Sequence, residues 1–274
     1  MTRSREIRTD MEASIPTDIP TKIRAAVVIP ARYGSTRFPG KPLAPIAGKP
    51  MIQRVYEAAA RARDVLRVAV ATDDARIADA VASFGGVAVM TDPNHRSGTD
   101  RIREAVRAMD LPPDAVVINV QGDQPLLDPA CIEDLIAPFR NGDGVEMSTL
   151  AFPISDPAQI ANPTQVKVVL DARGDALYFS RSPIPFRREP GDATPILKHL
   201  GLYAYTRRFL EIFAALPEGR LEAAEKLEQL RALEYGHRIR VVTSGFDSPE
   251  VDAPGDIAAV ERILREREAD GPGD

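Results

Sequence analysis

In the first half of the chain, short apolar runs alternate with segments of helical periodicity. The apolar runs at 25–29, 67–71, 87–90 and 115–120 are rich in β-branched residues, and we predict them to be strands. Between them, apolar residues recur every three or four positions, which is typical of amphipathic helices. Strands that are apolar on both faces and alternate with helices indicate a parallel sheet covered by helices.

The second half has a different pattern, with shorter gaps between the apolar runs. Predicted strands lie at 145–152, 166–170, 176–180, 200–205 and 239–243, with helices over 222–235 and around 257–264. Short gaps suit antiparallel pairing. We therefore predict an α/β fold, with a mainly parallel Rossmann-like sheet and an inserted, partly antiparallel lobe at about 145–235. One domain would cover residues 23–268, and the polar, aperiodic residues 1–22 would be a disordered extension.

Composition limits the class of protein. The 35 basic and 40 acidic residues give a net charge of −5, which argues against non-specific nucleic-acid binding. No apolar run approaches the roughly 20 residues needed to span a bilayer, and the first 21 residues lack the apolar stretch of a signal peptide. We therefore expect a cytoplasmic protein with neither a membrane nor a nucleic acid as partner. Cys131 is the single cysteine, and its helical spacing with apolar neighbours predicts a core position rather than a nucleophile.

The loop after the first predicted strand concentrates positive charge. Residues 30–41 (PARYGSTRFPGK) contain Arg32, Arg37 and Lys41 beside small residues whose amides are accessible. Such a loop suits a triphosphate, although a solvated basic turn is the alternative. It is not a Walker loop, because its glycines are one residue too far apart and Pro42 stands where Ser or Thr would bind magnesium.

Two more segments carry candidate chemistry at predicted strand ends or helix starts. Residues 120–125 (VQGDQP) place Asp123 at a strand tip, where it could be a magnesium ligand or an ordinary turn residue. Residues 97–100 (SGTD) begin a helix, where they could cap it or contact a nucleotide. Thr72 and Asp73 end the second predicted strand and point to the same edge.

These segments, in this order, resemble the bacterial sugar-acid cytidylyltransferases. Residues 30–41 keep every marked position of that family's pattern P-A-R-x-x-S-x-R-x-P-G-K. Among these enzymes the chain is most similar to the 3-deoxy-D-manno-octulosonate (Kdo) cytidylyltransferases, or CMP-Kdo synthetases. The motifs that carry this narrower resemblance are NVQGD at 119–123, NP at 162–163, VKVV at 166–169, ALYFSR at 176–181, HLGLY at 199–203, LEQLR at 227–231 and VDxP at 251–254.

The resemblance covers about residues 23–268 and implies a magnesium-dependent reaction of CTP with Kdo, which gives CMP-Kdo and pyrophosphate for lipopolysaccharide biosynthesis. It also implies a homodimer whose inserted lobe binds the sugar. Catalytic roles fall to Lys41, Arg32, Arg37 and Asp123. Nucleotide contacts fall to Arg32, Ser35, Lys41, Thr72, Asp73, Ser97 and Gln121, and sugar-acid contacts to Gln121, Arg181, His199, Tyr203, Glu228 and Gln229. Magnesium would be held by Asp123 and Asp252.

The residues themselves leave alternatives open. Gln124 stands where this family usually has Glu, so the acceptor could be a related sugar acid. A non-catalytic sensor of CTP or sugar acid is a second alternative, and a glycosyltransferase is disfavoured because no loop carries Asp-x-Asp. Asp252 could cap the last helix, and Glu228 and Gln229 could lie on a solvated helix face.

Overall fold

The computed structural model describes residues 23–34, 38–140, 143–189 and 191–269. The predicted extension 1–22 and two predicted site residues, Ser35 and Arg37, lie outside these ranges. The strands are β1 (Ala25–Ala31), β2 (Pro45–Ile46), β3 (Lys49–Pro50), β4 (Val65–Thr72), β5 (Ala88–Met90), β6 (Val116–Asn119), β7 (Met147–Ile154), β8 (Lys167–Leu170), β9 (Ala176–Ser180), β10 (Ile196–Thr206) and β11 (Arg240–Thr243). The helices are α1 (Met51–Arg61), α2 (Ala75–Ser83), α3 (Gly98–Ala108), α4 (Pro129–Ile136), α5 (Pro157–Ala161), α6 (Arg207–Ala215), α7 (Arg220–Glu225), α8 (Gln229–Glu234) and α9 (Asp256–Ala269).

The nine-stranded sheet has the order β11-β7-β10-β6-β1-β4-β5, and β8 and β9 extend from β10. β1 pairs in parallel with β4 and β6, and β5 continues this parallel part. β10 runs antiparallel to both β6 and β7. The predicted α/β class, a parallel sheet joined to antiparallel strands, is confirmed, and strands of the predicted lobe extend the same sheet.

The unbroken apolar run of β1 is explained by cores on both faces of the sheet. Ala26 and Val28 pack into one core with residues of α3 and α6. Val27 and Ile29 face the opposite core, which is built with α1 and α4. A strand covered on both sides cannot alternate apolar and polar residues, because each face needs apolar contacts.

Cys131 belongs to this second core and is fully buried. Burial raises the pKa of its thiol to about 11, so the side chain stays protonated at neutral pH. The prediction of a core cysteine is confirmed. No helix among the described residues is long and apolar enough to cross a membrane.

The predicted helix over 222–235 is wrong in one respect, because it is divided into α7 and α8. Lys226 after α7 has a positive φ of 54° and ends the first helix. The Arg181 guanidinium holds the carbonyls at this break, since its Nε donates to Glu225 O at 2.7 Å and its Nη2 to Lys226 O at 3.3 Å. Those carbonyls are therefore bonded outside the helix, and residues 226–228 separate α7 from α8.

The strand predicted at 200–205 is longer than its pattern indicates. β10 spans Ile196–Thr206 and contains a bulge between His199 and Tyr203. Gly201 within the bulge has a φ of +69°, a conformation that glycine adopts without strain. The bulge breaks the alternation of side chains, so the sequence pattern shows only half of the strand.

Candidate active site

The carboxyl ends of β1, β4 and β6 meet at one edge of the sheet, as parallel pairing requires. Arg32 follows β1 directly and is exposed to solvent. After residues 35–37, Gly40 has a φ of +72°, and its amide donates to Tyr33 O at 2.9 Å. Lys41 follows at the beginning of a short 3₁₀ turn, close to the loop after β6.

Lys41 and Asp123 form the centre of the site. Lys41 Nζ lies 2.6 Å from Asp123 Oδ2 and 3.0 Å from Val251 O. Both side chains are mostly buried, with 16% and 23% of their surfaces exposed. Asp123 Oδ1 is buried without a hydrogen-bond partner. A buried carboxylate oxygen with spare capacity is suited to receive a ligand, because leaving it unpaired costs free energy.

The segment before α9 is tied to this centre. The Val251 amide donates to Asp123 O at 2.9 Å. The side chain of Asp256 accepts from the amides of both Asp252 and Ala253, each at 2.8 Å. The Asp256 carboxylate therefore anchors the segment before α9 next to Asp123.

Glu250 is a member of the site that the sequence analysis missed. Its carboxyl is open to a concave surface but surrounded by protein, and burial together with the negative charges of Asp123 and Asp252 raises its pKa to about 7. Glu250 shares one cavity wall with Asp123 and a second with Asp252. No sequence motif pointed to Glu250, because it lies in a loop without periodicity.

The residues predicted to bind a sugar acid line one cavity of about 310 Å³ beside Asp123. Gln121, Arg181, His199, Tyr203, Glu228 and Gln229 all contribute to its wall. Thr164, Val166, Gly201, Leu227 and Glu250 complete the wall and were not predicted. The cavity, called the sugar cavity below, therefore brings the six predicted residues together from four motifs that lie far apart in the sequence.

His199 is a neutral acceptor in this wall. Burial lowers its pKa to about 3. Thr149 Oγ1 donates its single proton to Leu202 O at 2.6 Å, so the 2.9 Å contact between Thr149 Oγ1 and His199 Nε2 requires the proton on Nε2. Nδ1 is then the unprotonated nitrogen, which can accept a hydrogen bond from a hydroxyl.

Arg181 has a structural role in addition to any contact with a ligand. Its guanidinium donates to Glu225 O, Lys226 O and, at 3.0 Å, Pro163 O. Three carbonyl contacts leave N–H groups available, since a guanidinium has five. Arg181 therefore both anchors the chain around Lys226 and retains donors for a carboxylate in the sugar cavity.

Glu228 and Gln229 lie inside the site and not on a solvated helix face. Thr99 Oγ1 donates to Glu228 Oε2 at 2.7 Å, and burial raises the pKa of the Glu228 carboxyl. Gln229 is 4% exposed, and its Nε2 has no hydrogen-bond partner. An unsatisfied buried donor in a cavity wall indicates that a ligand supplies the acceptor.

On the nucleotide side, the predicted residues are engaged in local structure. Thr72 is fully buried, and Asp73 pairs with the buried Arg101, whose Nη2 lies 3.1 Å from Asp73 Oδ2. Ser97 caps α3 by accepting from the Asp100 amide at 3.1 Å. Ser97 also lines a cavity of about 640 Å³, so its capping role leaves it accessible to a ligand.

Comparison with known proteins shows the family to which the chain belongs. The profile of a family described as cytidylyltransferase matches residues 26–239. The chain belongs to the cytidylyltransferase family. The enzyme of Desulfosudis oleivorans named 3-deoxy-manno-octulosonate cytidylyltransferase is 56% identical over 248 residues, covering 90% of this chain and 100% of that enzyme. The Shewanella frigidimarina enzyme named 8-amino-3,8-dideoxy-manno-octulosonate cytidylyltransferase is 58% identical over 243 residues, covering 88% and 99%.

A solved structure gives the same result for the fold of this cytidylyltransferase. It is described as CMP:2-keto-3-deoxy-manno-octonic acid synthetase complexed with CTP, and it superimposes with a TM-score of 0.84 at 46% identity. The match covers 89% of this chain and 99% of that chain. A 4-diphosphocytidyl-2C-methyl-D-erythritol synthase from Anaerococcus prevotii, with a TM-score of 0.59 and 13% identity, shares the fold.

Proposed function

We propose that this chain transfers the cytidylyl group of CTP to 3-deoxy-manno-octulosonate or a sugar acid of that type. The sugar cavity carries the proposal, because six residues that the sequence singled out for a sugar acid form one wall beside the Lys41–Asp123 pair. The names of the relatives at 56–58% identity support the same substrate class.

The reaction needs alignment and charge neutralisation more than a protein nucleophile. The anomeric hydroxyl oxygen of the sugar forms a bond to the α-phosphorus, and the bond from that phosphorus to the pyrophosphate oxygen breaks. Pyrophosphate leaves, and the hydroxyl proton is released to solvent. Lys41 would stabilise the phosphate charge from its place beside Asp123, and Arg32 is exposed next to the same loop.

Magnesium fits the residues that are present. Mg²⁺ is commonly held by one or two carboxylates together with substrate phosphates and water. Asp123 has an unpartnered buried oxygen, and Asp252 is near enough to act with it on Glu250. No group of three or more His, Cys, Asp or Glu residues in the described ranges could hold a metal ion, so the proposed ion would need phosphate and water oxygens beside the two aspartates. When bound, Mg²⁺ would neutralise charge on the phosphates.

The decisive experiment measures pyrophosphate release from CTP and magnesium with Kdo, its 8-amino derivative, a sialic acid or no acceptor. Release with an octulosonate alone is expected. Binding of CTP without release in any mixture would favour the sensor, and preference for sialic acid would contradict the proposed acceptor. The expected homodimer, the cytoplasmic location and the place in lipopolysaccharide biosynthesis remain predictions, and sedimentation measures the first of them.

A further inference from the structure

A second cavity of about 280 Å³ adjoins the sugar cavity and is rich in carboxylates. The two cavities share Thr164, His199 and Glu250 in their walls. We call the second cavity the acidic recess, because Asp247, Glu250 and Asp252 lie in its wall. Glu250 therefore stands between the sugar cavity and a negatively charged surface.

The cations near the recess are already paired with other carboxylates. Lys198 Nζ lies 2.5 Å from Asp247 Oδ1, and Lys41 is held by Asp123. Both lysines are near enough to lower the pKa of Glu250, but neither forms an ion pair with it among the described residues. Glu250 is therefore the carboxylate best placed to receive a positive charge from a ligand.

The buried amide of Gln124 faces the Glu250 carboxylate. Gln124 Nε2 lies 3.5 Å from Glu250 Oε1, and a Cβ at Gly201 would lie 3.3 Å from the same oxygen. Gln124 is fully buried and also donates to Leu200 O at 2.8 Å. A Glu at position 124, the usual residue of the resembling family, would place a second negative charge against Glu250. The neutral amide of Gln124 and the carboxylate of Glu250 therefore form a compatible pair.

Sugar chemistry connects this carboxylate with one end of the substrate. In the ring form of an octulosonate, C2 carries the reacting hydroxyl and C6 carries the C7–C8 tail, and both carbons are bonded to the ring oxygen. A sugar whose C2 hydroxyl lies near Lys41 and Asp123 thus keeps its tail only a few bonds from that centre, within reach of the cavity wall that contains Glu250. The unpaired Nε2 of buried Gln229 independently indicates a ligand in this cavity.

We propose that Glu250 contacts the C8 substituent and makes 8-amino-3,8-dideoxy-manno-octulosonate a better substrate than Kdo. The inference rests on the proposed function and specifies its acceptor. An aliphatic amine is protonated at neutral pH, and a charge-assisted hydrogen bond to a carboxylate is stronger than one from a neutral hydroxyl. The Glu250 carboxylate thus binds an ammonium group at C8 more strongly than a hydroxyl.

The test compares kcat/KM for the two sugars at saturating CTP and magnesium. Wild type is expected to favour the amino sugar by about 10- to 100-fold, and Glu250→Gln to remove most of this preference by slowing the amino sugar selectively. Asp247→Asn is the matched control, because it removes a recess charge already paired with Lys198 and should leave the ratio within about twofold. Glu250→Asp, which keeps the charge, should retain part of the preference.

Two results would overturn the inference while leaving the proposed function intact. One is a higher kcat/KM of the wild type for Kdo than for the amino sugar, a result that requires no variant to be made. The other is an equal loss for both sugars in Glu250→Gln together with a higher magnesium requirement, which would assign Glu250 to the metal. Absence of turnover with either sugar would instead refute the proposed function, so the two failures are distinguishable.

Discussion

Replacing Asp73 by Asn should destabilise the protein, because Asp73 is the counter-charge of a buried guanidinium. Arg101 is 0% exposed, and its Nη2 lies 3.1 Å from Asp73 Oδ2. Its other contact is a hydrogen bond from Nη1 to Thr91 Oγ1, and its Nε has no hydrogen-bond partner. Asp73 is therefore the carboxylate in direct contact with the Arg101 charge, and Asp92 interacts with it at longer range.

The structure sets the size of this effect. Two unit charges at that separation interact by about 5 kcal/mol at an effective dielectric constant of 20, and removing one partner of a buried pair costs about 3–5 kcal/mol. Asp73 is 19% exposed, and Asn keeps an acceptor oxygen, so both features reduce the loss. We expect about 2–4 kcal/mol less unfolding free energy, which corresponds to a Tm lower by about 5–12 °C.

Thermal unfolding followed by circular dichroism, together with the KM for CTP, tests this prediction. The control is Asp74→Asn, because Asp74 caps α2 by accepting from the Arg76 amide and Asn caps a helix equally well. The ion pair that it also removes is with the exposed Arg76, and surface ion pairs contribute little. The control should keep its Tm within about 2 °C. If Asp73→Asn leaves the Tm unchanged but raises the KM for CTP, the reasoning is refuted, and Asp73 contacts the nucleotide directly as the resemblance implied.

Three further substitutions test the proposed site. Lys41→Ala should lower kcat by about 10²–10³-fold, because a cation beside the reacting phosphates is lost, and should also lower the Tm, because the mostly buried Asp123 loses its partner; activity within threefold of wild type would contradict its role. Arg181→Lys should raise the KM for the sugar acid and lower the Tm, since an ammonium cannot hold both Glu225 O and a substrate carboxylate. If Arg181→Lys alters only the KM for CTP, Arg181 contacts the nucleotide and not the sugar acid. Asp252→Asn should lower turnover, partly recoverable at high magnesium, without changing the Tm, because Asn caps a helix about as well as Asp but brings no negative charge to a cation; normal turnover would contradict a role in metal binding.

The parallel half of the fold could be predicted from the sequence pattern, and six residues of the sugar cavity from the family resemblance. β1, β4 and β6 are apolar on both faces, so their patterns could not be confused with solvent-exposed strands. The cavity residues were predicted because each stands within a recognisable motif. The edge of the sheet then brings Gln121 and Asp123 to the wall that His199 and Tyr203 reach from β10.

The features that were missed depend on contacts between distant parts of the chain. Glu250 is brought to the site by the hydrogen bond between the Val251 amide and Asp123 O, and no periodicity records such a contact. The break between α7 and α8 depends on Arg181, which lies more than 40 positions earlier. Local propensity favours one continuous helix there, but tertiary hydrogen bonds outweigh it.

The position of Glu228 connects the two halves of the site. It lines both the sugar cavity and the 640 Å³ cavity that contains Ser97. Its Oε2 accepts from Thr99 Oγ1 in the first turn of α3, and its Oε1 lies 3.6 Å from Arg231 Nη2. A sugar acid that bonds to Glu228 must share this carboxylate with the helix that begins beside the predicted nucleotide loop. The bond to Thr99 could therefore couple the two substrates. In that case each substrate changes the affinity of the enzyme for the other by the same factor. The coupling between the substrates would then be lost in Thr99→Val, which keeps the shape of the side chain but removes the donor.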